Sequence, residues 1–234
     1  MTSKQSLIAA ALVTATVAVA PSQAAVQLTE FNSNTGDGLT FEFCEFTNTG
    51  TTAVDMTGWS QSDNGREVGE VGHILTAFGT LQPGESAIFT EATPDAFRTY
   101  WWGSTSAAPT GLKIIGPYTN DNLSSGGDEV NLYDGNGTLV DRLTYNGGPG
   151  APSGGGNANG VTRNAPAGYA VNANRNIDWL NSSLGDVYGS FRAFNNASLL
   201  GNPGQFTPTA VPEPTSLGLI ALAGLAAAHR RRAR

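Results

Sequence analysis

The chain has 234 residues, a net charge of −7 and a single cysteine. Its acidity disfavours nucleic acid as a partner, because binding to a phosphate backbone depends on clustered Lys and Arg. One cysteine also excludes an intramolecular disulfide, so the fold must be held together by its hydrophobic core.

The first 24 residues have the order of regions that is typical of a secretory signal peptide. A basic Lys4 precedes the apolar run 7–20, and Ser22 and Ala24 follow as the small residues that signal peptidase prefers. The apolar run is shorter than the roughly 20 residues that a membrane-spanning helix needs. We therefore predict a helical signal peptide over residues 1–24. Between it and the last 24 residues, Asp and Glu outnumber Lys and Arg by about 11.

Short runs of alternating apolar and polar residues, broken by Gly, Asn, Asp and Pro, predict an all-β domain over residues 25–145. Residues 54–59 also contain several apolar side chains. In the run 39–46, Cys44 and Phe46 should lie on one face of the strand, with Phe43 and Glu45 on the other. Strands are predicted at 26–31, 39–46, 86–90, 129–133 and 138–145.

The last two of these runs flank Asp134-Gly135-Asn136-Gly137, which is a strong signal for a tight β-hairpin. Beyond the hairpin, residues 147–160 consist almost wholly of Gly, Pro, Ala, Ser and Asn, and they predict a flexible surface loop. Residues 160–207 still contain several aromatic side chains. We expect the segment 146–210 to contain this loop and an irregular closing segment that packs on the sandwich.

Motifs occur in order at residues 43–50, 54–59, 80–84, 128–134 and 137–141. This order within residues 26–145 resembles the lamin-tail domain family. Two departures are Cys44, at a position where an aliphatic residue is usual, and a long stretch at 92–122. The resemblance implies an immunoglobulin-like β-sandwich with an irregular C-terminal extension.

The C-terminal tail, residues 211–234, has three parts in sequence. Val211-Pro212-Glu213-Pro214 is followed by the apolar segment 217–228 and then by a basic end. An apolar segment of this kind halts an exported chain in the membrane, and terminal arginines stay on the cytoplasmic side. The two prolines keep the motif extended and accessible to a protease. The arginines of the basic end are Arg230, Arg231, Arg232 and Arg234.

This tail resembles the PEP-CTERM sorting signal. The resemblance implies cleavage by an exosortase, transient residence in the inner membrane and delivery to the cell surface or extracellular matrix of a Gram-negative bacterium. The segment 217–228 is short for a transmembrane span, which suits temporary residence. The alternative is a weakly amphipathic tail with a basic end.

Three adjacent aromatic residues, Tyr100, Trp101 and Trp102, are the candidates for a ligand-facing surface. If the segment is a strand, its neighbouring side chains point to opposite faces, so at least one ring should be exposed and able to stack on a sugar. The alternative is that one tryptophan closes the end of the sandwich.

Asp121, Asp128 and Asp134 are candidate ligands for calcium in an acidic exported protein. The spacing does not match an EF-hand loop, and hairpin turn chemistry also explains these residues. No other metal, cofactor or catalytic constellation is evident in the sequence.

We therefore predict a non-enzymatic surface or matrix module, structural or adhesive, with exopolysaccharide as a possible ligand. One alternative is a secreted hydrolase that uses the clustered carboxylates of Asp121, Asp128 and Asp134. A second is a matrix component without a ligand.

Overall fold

The computed structural model describes residues 26–33, 41–63, 72–119, 123–124, 126–145 and 161–206. The predicted signal peptide, the loop 147–160, the sorting tail 211–234 and Asp121 lie outside the described residues. None of the helices in the described part of the chain is long and apolar enough to cross a membrane.

The described residues form short strands, one α-helix and two 3₁₀ helices. The α-helix α1 is Pro94–Trp102, and the 3₁₀ helices are Thr76–Phe78 and Asn176–Asp178. The strands are β1 (Val26–Asn32), β2 (Phe43–Asn48), β3 (Val54–Asp55), β4 (Ser60–Ser62), β5 (His73–Ile74), β6 (Thr80–Leu81), β7 (Ser86–Thr90), β8 (Lys113–Ile115), β9 (Asp128–Tyr133), β10 (Leu139–Tyr145), β11 (Arg163–Asn164), β12 (Leu180–Asn181), β13 (Phe191–Arg192) and β14 (Leu200–Gly201).

Two sheets make the sandwich, which confirms the predicted all-β class. One has six strands in the order β12-β11-β1-β2-β7-β8, and the other has four in the order β10-β9-β4-β5. All pairs are antiparallel except β7 with β8. The predicted hairpin is the β9–β10 pair, closed by hydrogen bonds between Asp134 and Thr138.

The main core lies between the two sheets. Alternate residues of β1 and β2 supply Phe31, Cys44 and Phe46 from one side, and β9 and β10 supply Val130 and Leu143 from the other. All five side chains are buried, as close-packed apolar side chains of two facing sheets should be. The predicted orientation of β2 is therefore confirmed, and the thiol of Cys44 is inaccessible.

A third layer covers the other face of the six-stranded sheet. Helix α1 and residues 191–204 pack there, and a second apolar cluster forms around Phe43, Ile88, Phe97, Trp101 and Leu199. A sheet of six strands with both faces covered explains why β1 and β2 are buried along their whole length. Another part of this face, at Thr29, Glu30, Glu45 and Ser86, is polar and holds the buried groups described below.

The expectation of a strand at residues 100–102 is wrong. Tyr100, Trp101 and Trp102 lie in helix α1 and not in a strand, because Thr93 caps its N terminus, Pro94 opens it and Gly103 ends it. These are strong helix boundary residues. Residues 54–59 begin with the short strand β3, which ends at Asp55, and the next strand, β4, begins at Ser60.

Candidate functional site

Tyr100 and Trp101, two of the three aromatic residues expected to face a ligand, are buried. Each is 1% exposed, because the inner side of α1 packs on the six-stranded sheet. The expectation that either ring faces solvent is wrong. Trp101 instead fills the interior, with its ring centroid 5.8 Å from that of Phe43. Trp102 is half-buried and stays at the surface.

A different aromatic surface forms at the C-terminal end of α1. We call Trp102, Phe191 and Phe194 the aromatic corner. The ring centroids of Trp102 and Phe191 are 6.0 Å apart, and the Phe194 ring lies against the backbone of Gly103. At 70% exposure, Phe194 is the most exposed large apolar side chain among the described residues. The corner thus presents apolar ring surface to solvent.

Backbone hydrogen bonds hold Phe194 in place. Its N–H donates to the carbonyl of Trp101 at 3.1 Å, and the next N–H, of Asn195, donates to the carbonyl of Tyr100 at 3.0 Å. These bonds satisfy two of the carbonyls that the end of a helix leaves unpaired. Gly103 has φ 81° and leaves room for the Phe194 ring, since a Cβ there would lie 2.8 Å from Cδ2 of Phe194. The exposed ring is therefore preorganised.

A buried pair of carboxyl groups lies on the polar part of the same sheet face. Glu30 of β1 and Glu45 of β2 are opposite each other, and both are fully buried. Oε1 of Glu30 accepts hydrogen bonds from the N–H of Asn202, at 2.9 Å, and from Oγ1 of Thr162. Oε2 of Glu30 has no donor among the described residues.

Both carboxylate oxygens of Glu45 accept hydrogen bonds. Its Oε2 accepts a hydrogen bond from the N–H of Gly204. Its Oε1 accepts from Oγ of Ser86 at 3.0 Å and from Oγ1 of Thr29 at 3.1 Å. We call residues 201–204 the strap, because the two glutamates fasten this segment to the centre of the sheet.

The strap fits tightly over the pair. A Cβ on Gly201 would lie 2.6 Å from Cγ2 of Thr162, 2.8 Å from the Trp101 ring and 2.9 Å from Oε1 of Glu30. These separations are shorter than van der Waals contact, so only glycine fits. The strap, α1 and Glu30 therefore pack as one unit.

Burial changes the ionisation of the pair. Desolvation raises the pKa of Glu30 well above its ordinary value, and the charge of Glu45 raises it further. Desolvation also raises the pKa of Glu45, although hydrogen bonds from Gly204, Ser86 and Thr29 oppose the rise. Two carboxylates at adjacent buried positions do not both ionise readily, because the charge of one opposes ionisation of the other.

Asp128 and Asp134, two of the three candidate calcium ligands, are not brought together. Asp128 begins β9 and Asp134 follows its last residue, so about 20 Å of strand separates them. Asp128 accepts hydrogen bonds from the N–H groups of Ser124 and Glu129, and Asp134 from those of Asn136 and Thr138. These are turn interactions. This separation also rules out Asp128 and Asp134 as a paired acid and base of a hydrolase, which lie within about 10 Å of each other.

Within the described ranges, no three Asp, Glu, His or Cys side chains are grouped so that they could hold a metal ion. Asp121 lies outside those ranges, and the calcium prediction for it stays a prediction.

The described chain ends beside the sandwich core. Phe206 is buried and its ring is stacked on Tyr188, with centroids 6.2 Å apart. The sorting motif at Val211, Pro212, Glu213 and Pro214 follows within a few residues and lies outside the described residues. The fold therefore fixes the point from which the tail departs.

Two family models match the chain. The Lamin Tail Domain matches residues 19–147, more than half of the chain, and the PEP-CTERM protein-sorting motif matches residues 210–233. No curated protein and no solved structure matches it. The first match covers both sheets up to β10, and the second covers the tail.

Proposed function

The chain belongs to the Lamin Tail Domain family and carries a PEP-CTERM sorting motif, and from this premise we propose that it is a non-enzymatic module that binds polysaccharide at the bacterial surface. The sorting motif makes it an exported protein that is processed by an exosortase. Polysaccharide binding is assigned to the aromatic corner.

The route of export follows from the two ends of the chain. Signal peptidase removes residues 1–24, and the apolar segment 217–228 holds the protein in the inner membrane of a Gram-negative bacterium until the exosortase acts. The arginines at 230–234 stay in the cytoplasm under the positive-inside rule. The domain between the ends then becomes part of the cell surface or extracellular matrix.

The exposed ring of Phe194 is the observation that carries the binding proposal. It is 70% exposed yet rigidly placed by the backbone bonds of Phe194 and Asn195. The C–H face of a pyranose ring can stack on such a ring and bury apolar area that water otherwise covers. Trp102 and Phe191 extend the platform beside it.

Charge favours a neutral polysaccharide over an acidic one. Residues 25–210 carry about 11 more acidic than basic side chains, so uronic acids or sulfates would be repelled at low ionic strength. Arg192, between Phe191 and Phe194, uses Nη1 to donate to the carbonyl of Ala197. Stacking rather than ion pairing is therefore the main source of affinity.

Replacement of Phe194 by Ala should weaken binding to a neutral exopolysaccharide by about tenfold, because one stacked ring contributes about 1–1.5 kcal/mol beyond the area that it buries. The measurement is affinity gel electrophoresis with neutral and uronic-acid polysaccharides. We expect Trp102→Ala to act in the same direction.

Ile74→Ala is the matched control, since Ile74 is a similarly exposed apolar residue on the four-stranded sheet. It should leave binding unchanged. If polysaccharide retards Phe194→Ala, Trp102→Ala and the unaltered protein equally, the aromatic corner is rejected as the binding surface.

A further inference from the structure

Exposed apolar side chains are concentrated between residues 177 and 187. Ile177, Leu180, Leu184 and Val187 are each about half exposed or more, the last two at 57% and 61%. Single exposed apolar residues are common on proteins, but a concentration of them marks an interaction surface. These residues belong neither to the aromatic corner nor to the strap.

Leu184 and Val187 sit on a loop that Asp186 organises. Oδ2 of Asp186 accepts hydrogen bonds from the N–H of Ser183 at 2.9 Å and from Oγ of Ser190 at 2.7 Å. Oδ1 accepts from the N–H groups of Tyr188, at 3.1 Å, and of Ser190, at 3.0 Å. We call residues 183–190 the Asp186 loop. Its carboxylate is turned inward onto four donors, so the loop presents two apolar side chains and little charge.

The Asp186 loop adjoins the point where the tail departs. Tyr188 stacks on Phe206 and donates from its hydroxyl to the carbonyl of Ala165 at 2.9 Å. Ser190 also bonds to Asn202 of the strap, with 3.3 Å between Oγ and Oδ1. Val187 and Tyr188 are therefore fixed next to the last described residue.

The tail is short enough to limit the distance between this loop and the membrane. Residues 207–216 separate Phe206 from the apolar segment 217–228. Ten residues extend to at most about 35 Å, and the sorting motif takes up four of them. While the apolar segment is in the bilayer, the domain is therefore held within about 35 Å of the lipid surface, with the tail leaving it at Phe206.

We propose that the Asp186 loop is a membrane-contact surface, with Leu184 and Val187 entering the lipid interface of a phospholipid bilayer while the tail is inserted. The inference rests on the proposed residence of the tail in the membrane. Apolar side chains at the depth of the headgroups are a known mode of interfacial binding. The loop then holds the domain against the membrane and presents the sorting motif at a fixed height.

Single labelled cysteines test the proposal in the full chain. Cys44 is buried, so a cysteine introduced at an exposed position is the one that a thiol-reactive dye modifies. An environment-sensitive dye on Val187→Cys in phosphatidylcholine vesicles should gain at least about twofold in emission, with a blue shift, when its side chain enters the interface. Lipids that carry a quencher should reduce that emission.

Ile74→Cys is the control, because Ile74 is 52% exposed but lies on β5 of the four-stranded sheet. It should show neither change. Ala221→Cys, within the apolar segment, reports on the tail itself.

The outcomes separate the two proposals. If the dye at Ala221 enters the bilayer while the dye at Val187 behaves like that at Ile74, the loop proposal fails and the tail insertion stands. If neither dye enters the bilayer, both the loop proposal and the insertion of the tail are rejected. If the dye at Val187 responds to protein concentration without vesicles, a second copy of the chain covers the loop, and membrane contact is rejected.

Discussion

Replacement of Trp101 by Ala is expected to lower the free energy of unfolding by about 3–5 kcal/mol, the usual loss for a large buried aromatic residue. The Trp101 ring joins three parts of the structure. It packs edge-on against Phe43 of β2 and against Phe191 of β13, with centroid distances of 5.8 and 5.7 Å. It also touches Gly201 of the strap. Its loss leaves a cavity that these backbones cannot close.

Trp102→Ala is the matched control for this result, since the two tryptophans are neighbours on the same helix. Trp102 is half-buried, so its removal should cost less than about 2 kcal/mol. Urea unfolding followed by circular dichroism gives both values. Equal losses for the two variants would contradict the placement of Trp101 in the interior, and a larger loss for Trp102 would reverse it.

Acidification from pH 8 to pH 5 is expected to stabilise the domain by several kcal/mol. Desolvation raises the pKa of Asp141 to about 6 and that of Glu42 to about 8. In this range the folded state binds more protons than the unfolded state, so stability is present at low pH and is lost as the pH rises through the folded pKa values. Asp141 alone accounts for about 1.4 kcal/mol of this change, because only the part of its shift between about pH 5 and pH 6 falls within the window.

Carboxyl groups whose pKa is lowered in the folded state change the stability only at lower pH. A hydrogen bond from Thr57 lowers the pKa of Asp55, and one from Arg175 lowers that of Asp178. Both stay ionised above about pH 4. The window from pH 5 to pH 8 therefore isolates the buried carboxyl groups, whose pKa values are raised.

Glu45→Gln tests the contribution of the buried pair to this pH dependence. The amide oxygen can accept from the N–H of Gly204, and the amide nitrogen can donate to the hydroxyl groups of Ser86 and Thr29. We expect a flatter dependence on pH and a stability at pH 8 that is at least that of the unaltered protein. Asp178→Asn, at an exposed site, should leave the slope as it is. A slope unchanged by Glu45→Gln would show that the pair does not titrate in this window.

Alternation and turn chemistry predicted the central strands well. Residues 86–90 were predicted as a strand and are β7, and the hairpin around Asp134 joins β9 to β10. These elements follow from local information, because each alternating run is bounded by a turn that only a few residue types can make. The burial of Cys44 followed from the same pattern.

Helix α1 was missed although its boundary signals are in the sequence. Thr93-Pro94 opens it, Asp95 lies in its first turn and Gly103 closes it in the left-handed conformation. The three consecutive aromatic residues favoured a strand, because aromatic residues have high β propensity. The capping residues and the packing on the sheet outweighed that propensity.

The buried pair and the aromatic corner could not be predicted from the sequence. An acid between apolar neighbours, such as Glu45 in β2, signals a buried carboxylate, but its donor Gly204 is 159 residues away. In the sequence, Phe191 and Phe194 are recognisable only as two of the apolar residues in the closing segment. Their exposure depends on how that segment meets α1, which is a tertiary contact without a local signal.

The intact mass of the protein released from the bacterial surface tests the account most directly. Removal of residues 1–24 and cleavage at the sorting motif around Pro212-Glu213-Pro214 predict a mass that lacks both ends of the chain. Loss of the apolar segment 217–228 would show that the membrane is one stage of the route and that the working molecule is the β-sandwich. A mass that still includes Arg230–Arg234 would contradict processing by an exosortase.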